Sequence, residues 1–380
     1  MEVRTLPDAL KAIMASNHWT QSDLARELGV SQVWVSEVSR GKKDTTVTKA
    51  IGLLARVGWE VRISPRAEEP VQRREFMAAA ASVIFVPSGT SSPYQDAEYV
   101  TTVADSLARN RYELGGMPLA AAAVGHIARM EKVLNGSGDA SLQRAASALA
   151  NQAALVLYDA GRLAAADHAG ASSLEFAVRA KDPEGQARAY DGLSRISLYR
   201  GDFARAVRYA ERGLKVPDMS NSQRASLYMR LGRSLAHMPA QKHASRSALD
   251  QARSVGGLSP FGEAALIGDV GIGLGHLRIY REAGTLLGKA AARIGQWSPL
   301  FQAQYLGRQI QTSFRASDPA FAADRMTELA RALPFVASAR VNSRVAEILS
   351  TSRKWERVPE VREAREQLQS VVSADSSDVK

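Results

Sequence analysis

The feature that most constrains the fold is a regular recurrence of helix-breaking turns through most of the chain. From about residue 94 to residue 371, Ala- and Leu-rich helical patterns alternate with short breaks at Gly, Pro or Asp. Related turns fall in steps of 40, 38, 40 and 38 residues, at Gly161, Gly201, Pro239, Ile279 and Ser317. This period predicts an α-solenoid of about six helical pairs, each burying its apolar face on the next. A non-repeating helical bundle is the alternative.

The clearest unit runs from Ala189 to Leu214, with Gly201-Asp202-Phe203 between two helical patterns and a small Ala206 where the helices cross. It resembles the tetratricopeptide (TPR) family, whose repeats are helical hairpins of about 34 residues. The period here is longer, and the units around Phe321 and Trp355 match poorly, so the resemblance implies loose repeats with long helices. It implies a TPR-like domain over residues 94–372.

The TPR resemblance also implies a concave ligand groove lined by the first helix of each pair. On that pattern the inner positions are Asn151, Leu155, Tyr158, Arg188, Asp191, Arg195, Tyr199, Met229, Arg233 and His237. Such a groove suits an extended peptide or an anionic small molecule, because Asn bonds a peptide backbone and Arg binds a carboxylate. Ordinary solvated surface is the alternative for each of these side chains.

Residues 20–41 form a second pattern, typical of two short helices around a tight turn. Thr20 can cap the first helix, Gly29 can take the left-handed conformation that ends it, and Ser31 can cap the second helix. The predicted inward positions are Leu24, Ala25, Leu28, Val30, Val35 and Val38. The outer face of the second helix would then carry Gln32, Val33, Ser36 and Glu37. Such side chains can contact base edges in the major groove of DNA.

This segment resembles the XRE family, the helix-turn-helix domain of lambdoid phage repressors and Cro proteins. The resemblance implies a lambda-repressor-like head over residues 1–63, in which Gln21 contacts phosphate and braces Gln32. It also implies phosphate contacts from the Trp34 indole and from the lysines after Gly41. The full DNA-binding set is Gln21, Ser31, Gln32, Val33, Trp34, Ser36, Glu37, Arg40, Lys42 and Lys43. A helical hairpin without a DNA role is the alternative.

The region between head and body is predicted to be a linker with a bridging helix, over residues 64–93. Two prolines and several charges in 64–72 indicate a linker, and the apolar run 76–86 favours a helix. Residues 59–63 alternate like a short strand, which is either an element for dimer formation or a frayed helix end. Residues 373–380 are predicted to be disordered.

Composition restricts the chemistry. The chain has no cysteine and only six scattered histidines, so neither a metal site nor a cofactor is expected. No phosphate loop, zinc-protease motif or nucleophile elbow is present, and an enzyme is not expected. The net charge of +10 fits a nucleic-acid partner, although much of the excess is body arginine that can be solvated surface or a site for an acidic ligand. Without a membrane-length apolar run or cleavable signal, we expect a soluble, cytoplasmic protein.

These patterns predict an all-α chain with an N-terminal helix-turn-helix domain and a TPR-like α-solenoid. The predicted function is a homodimeric transcription regulator that binds a double-stranded DNA operator. Its solenoid would bind a peptide, small-molecule or protein signal. The alternative is an interaction scaffold that sequesters a partner, with the head as a DNA tether.

Overall fold

The computed structural model of the chain describes residues 6–42, 53–54, 57, 59–64, 82–87, 92–134 and 139–377. The chain divides into two compact units, Met1–Pro93 and Tyr94–Lys380.

Among its described residues, the first unit contains three short helices, a helical fragment at Leu53–Leu54 and a two-stranded sheet. The elements are α1 (Leu6–Asn17), α2 (Gln21–Leu28), α3 (Gln32–Ser39), β1 (Trp59–Ser64) and β2 (Ser82–Pro87). The three helices share a core of buried side chains with the fragment Leu53–Leu54, and this core includes Leu10, Ile13, Leu24, Leu28, Val35, Val38 and Leu54. The predicted stripes of α2 and α3 therefore face one apolar centre.

The ends of α2 and α3 are set by local hydrogen bonds. The Thr20 hydroxyl accepts from the Asp23 backbone N–H at 3.3 Å, and the Asp23 carboxylate accepts from the Thr20 N–H at 3.0 Å, which makes a capping box. Gly29 ends α2 with φ of 67°, in the left-handed region where a side chain is unfavourable. The Ser31 hydroxyl accepts from the Trp34 N–H at 3.2 Å and starts α3. All three predicted end signals are confirmed.

The sheet confirms one expectation and overturns part of another. The strand predicted after Gly58 is confirmed as β1, whereas the helix predicted across 76–86 is wrong for residues 82–86, which lie in β2. Residues 76–81 lie outside the described residues. The strands are antiparallel, with Trp59 opposite Pro87 and Ser64 opposite Ser82. Valine, isoleucine and phenylalanine in β2 favour strands, and pairing satisfies the backbone groups of both segments. The first unit is therefore not purely helical, and β1 has its partner within the same chain.

The second unit is helical throughout its described residues. Its helices are α4 (Ala97–Leu114), α5 (Ala120–Leu134), α6 (Ala140–Asp159), α7 (Leu163–Arg179), α8 (Pro183–Tyr199), α9 (Phe203–Leu214), α10 (Asn221–Leu235), α11 (Lys242–Ser254), α12 (Pro260–His276), α13 (Tyr280–Ile294), α14 (Pro299–Arg315), α15 (Pro319–Ala332), α16 (Ala339–Ser352) and α17 (Pro359–Ser377). Because α17 continues to Ser377 without a Gly or Pro to stop it, the predicted disordered tail is wrong for 373–377.

These helices form a solenoid of antiparallel pairs. Each even-numbered helix from α6 to α14 packs on the odd-numbered helix that follows it, and α6, α8, α10, α12, α14 and α16 also pack on one another in sequence. We call these six the inner helices. The five turns predicted from spacing all fall between the two helices of a pair, and Gly161, Gly201 and Ser317 take positive φ there.

The solenoid also closes on itself. The Ala337 N–H, which precedes α16, donates to the Leu114 carbonyl at the end of α4 at 2.7 Å, and the Met117 N–H donates back to the Ala337 carbonyl at 3.1 Å. The Ser338 hydroxyl donates to the buried Asp159 carboxylate at 2.8 Å, across 179 residues of sequence. The early helices of the solenoid are therefore joined directly to the late ones at these contacts.

Candidate functional site

The outer side of α3 is the candidate DNA-binding surface of the first unit. Its buried stripe contains Val35 and Val38, which are 0% and 1% exposed. Val33 points away from this stripe and is 65% exposed, and Gln32 beside it is also exposed. The first turn of α3 therefore presents an amide and an apolar contact side by side.

Two predicted members of this surface are buried instead. Trp34 is 8% exposed, because it flanks Val35 and Val38 on the helix and its indole extends the same core. Ser36 is 9% exposed, because the Arg40 guanidinium covers it and donates to its hydroxyl and to its carbonyl. The expectations that Trp34 presents its indole to phosphate and that Ser36 reads bases are therefore wrong.

The remaining predicted DNA-binding residues lie around α3 without forming one network. Ser31 is exposed and caps the helix, Glu37 is half-buried, and Arg40 and Lys42 are exposed at its C-terminal end. Gln21 is half-buried at the start of α2, and within the described part of the head no hydrogen bond joins it to Gln32. Lys43 lies outside the described residues.

The inner helices carry a second candidate site, built from repeat-equivalent side chains. Arg230 donates to Asp191 at 3.0 Å and to Asp269 at 3.2 Å, and each carboxylate is 39 residues from Arg230 in sequence. The same spacing continues in both directions. We call the resulting set, one residue from each inner helix, the inner ladder: Gln152, Asp191, Arg230, Asp269, Arg308 and Glu347.

Two carboxylates of the inner ladder, Asp191 and Asp269, each form a second ion pair with an arginine. Arg195 donates to Asp191 at 3.1 Å and Arg233 donates to Asp269 at 2.8 Å. Burial raises the pKa of Asp191, but Arg230 and Arg195 outweigh it and lower the pKa to about 2. Burial likewise raises the pKa of Asp269, and Arg233 and Arg230 bring it below its usual value. These carboxylates are therefore ionised at neutral pH and are held by arginines.

Two tyrosines of early inner helices, Tyr158 and Tyr199, contact an arginine of a late inner helix, Arg340. The Tyr158 and Tyr199 rings meet edge to face at 5.3 Å, and the Arg340 guanidinium lies 4.1 Å from the centre of the Tyr158 ring. Arg340 also donates to the Gln304 side-chain carbonyl at 2.8 Å. A late inner helix therefore fills the space in front of the predicted groove residues of the early helices.

Several predicted groove residues do not face an open groove. Asn151, Leu155 and Met229 are 4%, 8% and 3% exposed. A Cβ at Gly192 would lie 3.0 Å from the Asn151 side-chain oxygen, so Asn151 is packed between α6 and α8. The expectation that these three residues contact a ligand is wrong, because the inner helices approach closely at these positions. Arg188 is half-buried, and within the described residues it forms no ion pair.

The predicted groove residue His237, just after the end of α10, belongs to a different cluster. His237 stacks on Phe203 with ring centres 4.3 Å apart, and its ring centre is 4.1 Å from that of His276. Burial, followed by Arg233 and Arg308, lowers the pKa of His237 to about 4. Burial and Arg308 also hold the pKa of His276 well below its usual range. Both imidazoles are therefore neutral at pH 7.

Sequence reasoning missed Asp159, Arg230, Asp269, Arg308 and Arg340. The signal that could have found three of them is the 39-residue interval between charged residues, which continues from the predicted Asp191. Asp159 and Arg340 carry no such signal, since their contacts depend on closure of the solenoid.

Other site types receive no support from the described residues. Among them, no group of three or more His, Cys, Asp or Glu residues could hold a metal ion. A helix both long and apolar enough to cross a membrane is likewise absent from the part of the chain that the structure describes. A surface hollow of about 490 Å³ lies along α11. Its Arg246 is paired with Asp250 at 3.0 Å and with Glu282 at 2.9 Å.

Comparisons with known proteins find distant likenesses to solved structures. No protein-family model and no curated protein matches the chain. A solved structure of YrrB, described as a TPR protein with an unusual peptide-binding site, is 17% identical with a TM-score of 0.28, over 49% of this chain and 86% of that one. The TPR2AB domain of yeast Sti1, solved as a complex with pHSP90, is 13% identical with a TM-score of 0.25, over 72% and 98%. With TM-scores this low, neither likeness bears on the function of this chain.

Proposed function

We propose that the protein is a DNA-binding transcription regulator whose solenoid binds a signal ligand. The observation that carries the proposal is the exposed first turn of α3, where Gln32 and the 65% exposed Val33 lie opposite a buried stripe. In helix-turn-helix proteins the first residues of the second helix contact base edges in the major groove. Glutamine can form two hydrogen bonds with adenine, and valine can contact the thymine methyl group.

In this proposal, phosphate contacts position the helix and base contacts specify the sequence. Gln32, Val33 and Glu37 are the base-reading residues. Phosphate contacts come from Gln21, Ser31, Arg40, Lys42 and Lys43. A homodimer would place two copies of α3 on half-sites about 34 Å apart, and the operator would be two-fold symmetric.

The contacts that join early helices to late ones favour a small ligand over an extended partner. Contacts between Leu114 and Ala337, and between Asp159 and Ser338, join the early helices to the late ones. A long peptide or a folded protein would have to break these contacts before it could lie along the inner helices. We therefore assign to the solenoid the binding of a small ligand by arginines of its inner helices. We do not assign to it the sequestration of a protein.

The direct test is fluorescence anisotropy of the full chain on its own promoter and on random DNA of equal length, at several salt concentrations. We expect a salt-sensitive preference for the promoter. Gln32→Ala should cost about 1–3 kcal/mol at one base position, whereas Lys42→Ala should weaken all sequences alike and shallow the salt slope by about one.

Lys289→Ala is the matched control, since it removes the same charge from an exposed position on α13. It should leave the promoter preference unchanged. Equal affinity for promoter and random DNA at every salt concentration would refute the proposal. An equal loss on every sequence for Gln32→Ala would remove Gln32 from the base-reading set.

A further inference from the structure

One guanidinium of the inner ladder has no partner. Arg308 lies between the carboxylates of Asp269 and Glu347 in the ladder order, yet it forms no ion pair or side-chain hydrogen bond with any described residue. Every other charged rung is paired. Keeping a guanidinium ionised where it is shielded from water costs free energy unless an anion compensates its charge.

Both neighbouring carboxylates of Arg308 are already occupied. Asp269 accepts from Arg230 at 3.2 Å and from Arg233 at 2.8 Å. Glu347 accepts from Arg344 at 2.6 Å and from the Gln311 amide at 2.7 Å. Both carboxylates are therefore already paired with other arginines, and neither forms an ion pair with Arg308 among the described residues.

The part of α14 that carries Arg308 is packed closely against α12 and α16. A Cβ on the preceding Gly307 would lie 2.8 Å from the Arg344 side chain, so α14 and α16 are tightly apposed there. The Thr312 hydroxyl, one turn further along α14, donates to the Arg308 carbonyl at 2.9 Å. A Cβ on Gly275 would lie 3.4 Å from that same hydroxyl oxygen, which brings the end of α12 against this part of α14.

The end of α12 carries His276, so the histidine pair and Arg308 belong to one cluster. Burial, and after it Arg344 and Arg233, hold the pKa of Arg308 well below its usual range. The charged groups that influence the two imidazoles are Arg233, Arg308 and Arg315, all of them cations. The cluster therefore has two neutral imidazoles and an excess of positive charge. The one carboxylate that raises the pKa of Arg308 is Glu347, which is already paired with Arg344.

We propose that Arg308, Arg315, His237 and His276 bind the phosphate group of a small ligand. A phosphate ester carries up to two negative charges and three acceptor oxygens, and the planar guanidinium matches it with two parallel hydrogen bonds. The imidazoles supply further N–H donors. Closure of the solenoid limits the ligand to a small molecule. This assignment rests on the proposed signal-binding role of the solenoid and names the class of its ligand.

The test titrates inorganic phosphate into the full chain without DNA, by isothermal titration calorimetry and by proton NMR of the histidine rings. We expect one phosphate per chain. Between pH 5 and 7, His237 and His276 should stay neutral without phosphate and gain protons with it, because the anion offsets the nearby arginines. The variants His237→Gln and His276→Gln assign the two signals.

Arg308→Gln should weaken phosphate binding at least tenfold without lowering the melting temperature, since it removes an unpaired charge. Arg281→Gln, at an exposed position on α13, removes the same charge and should bind phosphate normally. Absence of phosphate binding, or an equal loss in both variants, overturns the assignment. So does tighter binding of malonate than of phosphate, which would identify a dicarboxylate ligand.

The outcome is separable from that of the proposed DNA function. Phosphate binding with no promoter preference would support the anion site and refute the proposed regulator function. A promoter preference without phosphate binding would support the regulator function and refute the anion site.

Discussion

Replacing Arg230 with methionine tests the energetic role of the inner ladder. Arg230 is 1% exposed, and its guanidinium joins Asp191 at 3.0 Å to Asp269 at 3.2 Å. Methionine fills similar volume but leaves two buried carboxylates short of a partner. Removing one member of a buried ion pair costs about 3–5 kcal/mol, because the remaining charge stays desolvated.

The partners that Asp191 and Asp269 keep in the variant favour the lower end of this free-energy cost. Asp191 keeps Arg195 at 3.1 Å and the Ser226 hydroxyl at 2.6 Å, and Asp269 keeps Arg233. In a unit of this size each kcal/mol lowers the melting temperature by roughly 2–4 °C. We therefore expect Arg230→Met to melt about 6–12 °C below the unsubstituted chain at pH 7, measured by far-UV circular dichroism.

The pH dependence gives an independent check of the same interaction. The pKa of Asp191 is about 2 in the folded chain, below its ordinary value of 3.8. A carboxyl with a lowered folded pKa contributes stability that is present above about pH 4 and is lost as the pH falls toward 2. A shift of this size corresponds to about 2 kcal/mol. The melting difference between the two chains should therefore narrow across this window.

Arg281→Met, on the exposed side of α13, is the control and should melt within about 1 °C of the unsubstituted chain, since surface substitutions usually change stability little. An unchanged melting temperature for Arg230→Met would refute the reasoning. A melting difference that persists undiminished at pH 2 would show that lost packing, rather than unpaired charge, is responsible.

Two further predictions concern closure and packing. Ser338→Ala removes a donor to the fully buried Asp159 and should cost about 1–3 kcal/mol, with faster amide hydrogen exchange at the contact between early and late helices. Gly268→Ala would place a Cβ 2.4 Å from the buried Tyr305 ring and should destabilise by about 1–3 kcal/mol. The control Gly284→Ala meets nothing within 4 Å and should stabilise α13 by up to about 1 kcal/mol, so the two alanine variants should melt on opposite sides of the unsubstituted chain.

Local features of this fold could be predicted from the sequence because their hydrogen bonds are local. The Thr20 cap bonds a residue three positions away, and the turn at Gly29 depends on one residue's freedom to take positive φ. The turns of the solenoid follow from recurring breaks in helical patterns. The resemblance to TPR repeats places Asp191, Arg195 and Arg233 on the inner side of their helices, where all three form ion pairs.

Long-range contacts could not be predicted in the same way. β2 is stabilised by pairing with β1, and its residues had to be compared with a segment some twenty positions away. Trp34 is buried because a large indole reaches a core that its position on the helix only borders. Closure through Asp159 and Ser338 depends on the summed curvature of all the helix pairs, which no local pattern encodes.

The inner ladder is an intermediate case. Its 39-residue interval can be read from the sequence. The repeats are predicted instead from the spacing between turns, which varies between 38 and 40 residues. Side chains on the inner helices keep a stricter spacing because they must meet one another. The unpaired state of Arg308 could be recognised only after the partners of Asp269 and Glu347 were known.

Selection of DNA from a random library by the full chain, in parallel with Gln32→Ala, tests the DNA-reading role of α3 most directly. We expect the unsubstituted chain to enrich a two-fold symmetric site with half-sites about 34 Å apart. Gln32→Ala should enrich the same site with relaxed preference at one symmetric pair of positions. Enrichment of no sequence by the unsubstituted chain, or of identical sites by both chains, would contradict a DNA-reading role for the exposed turn of α3.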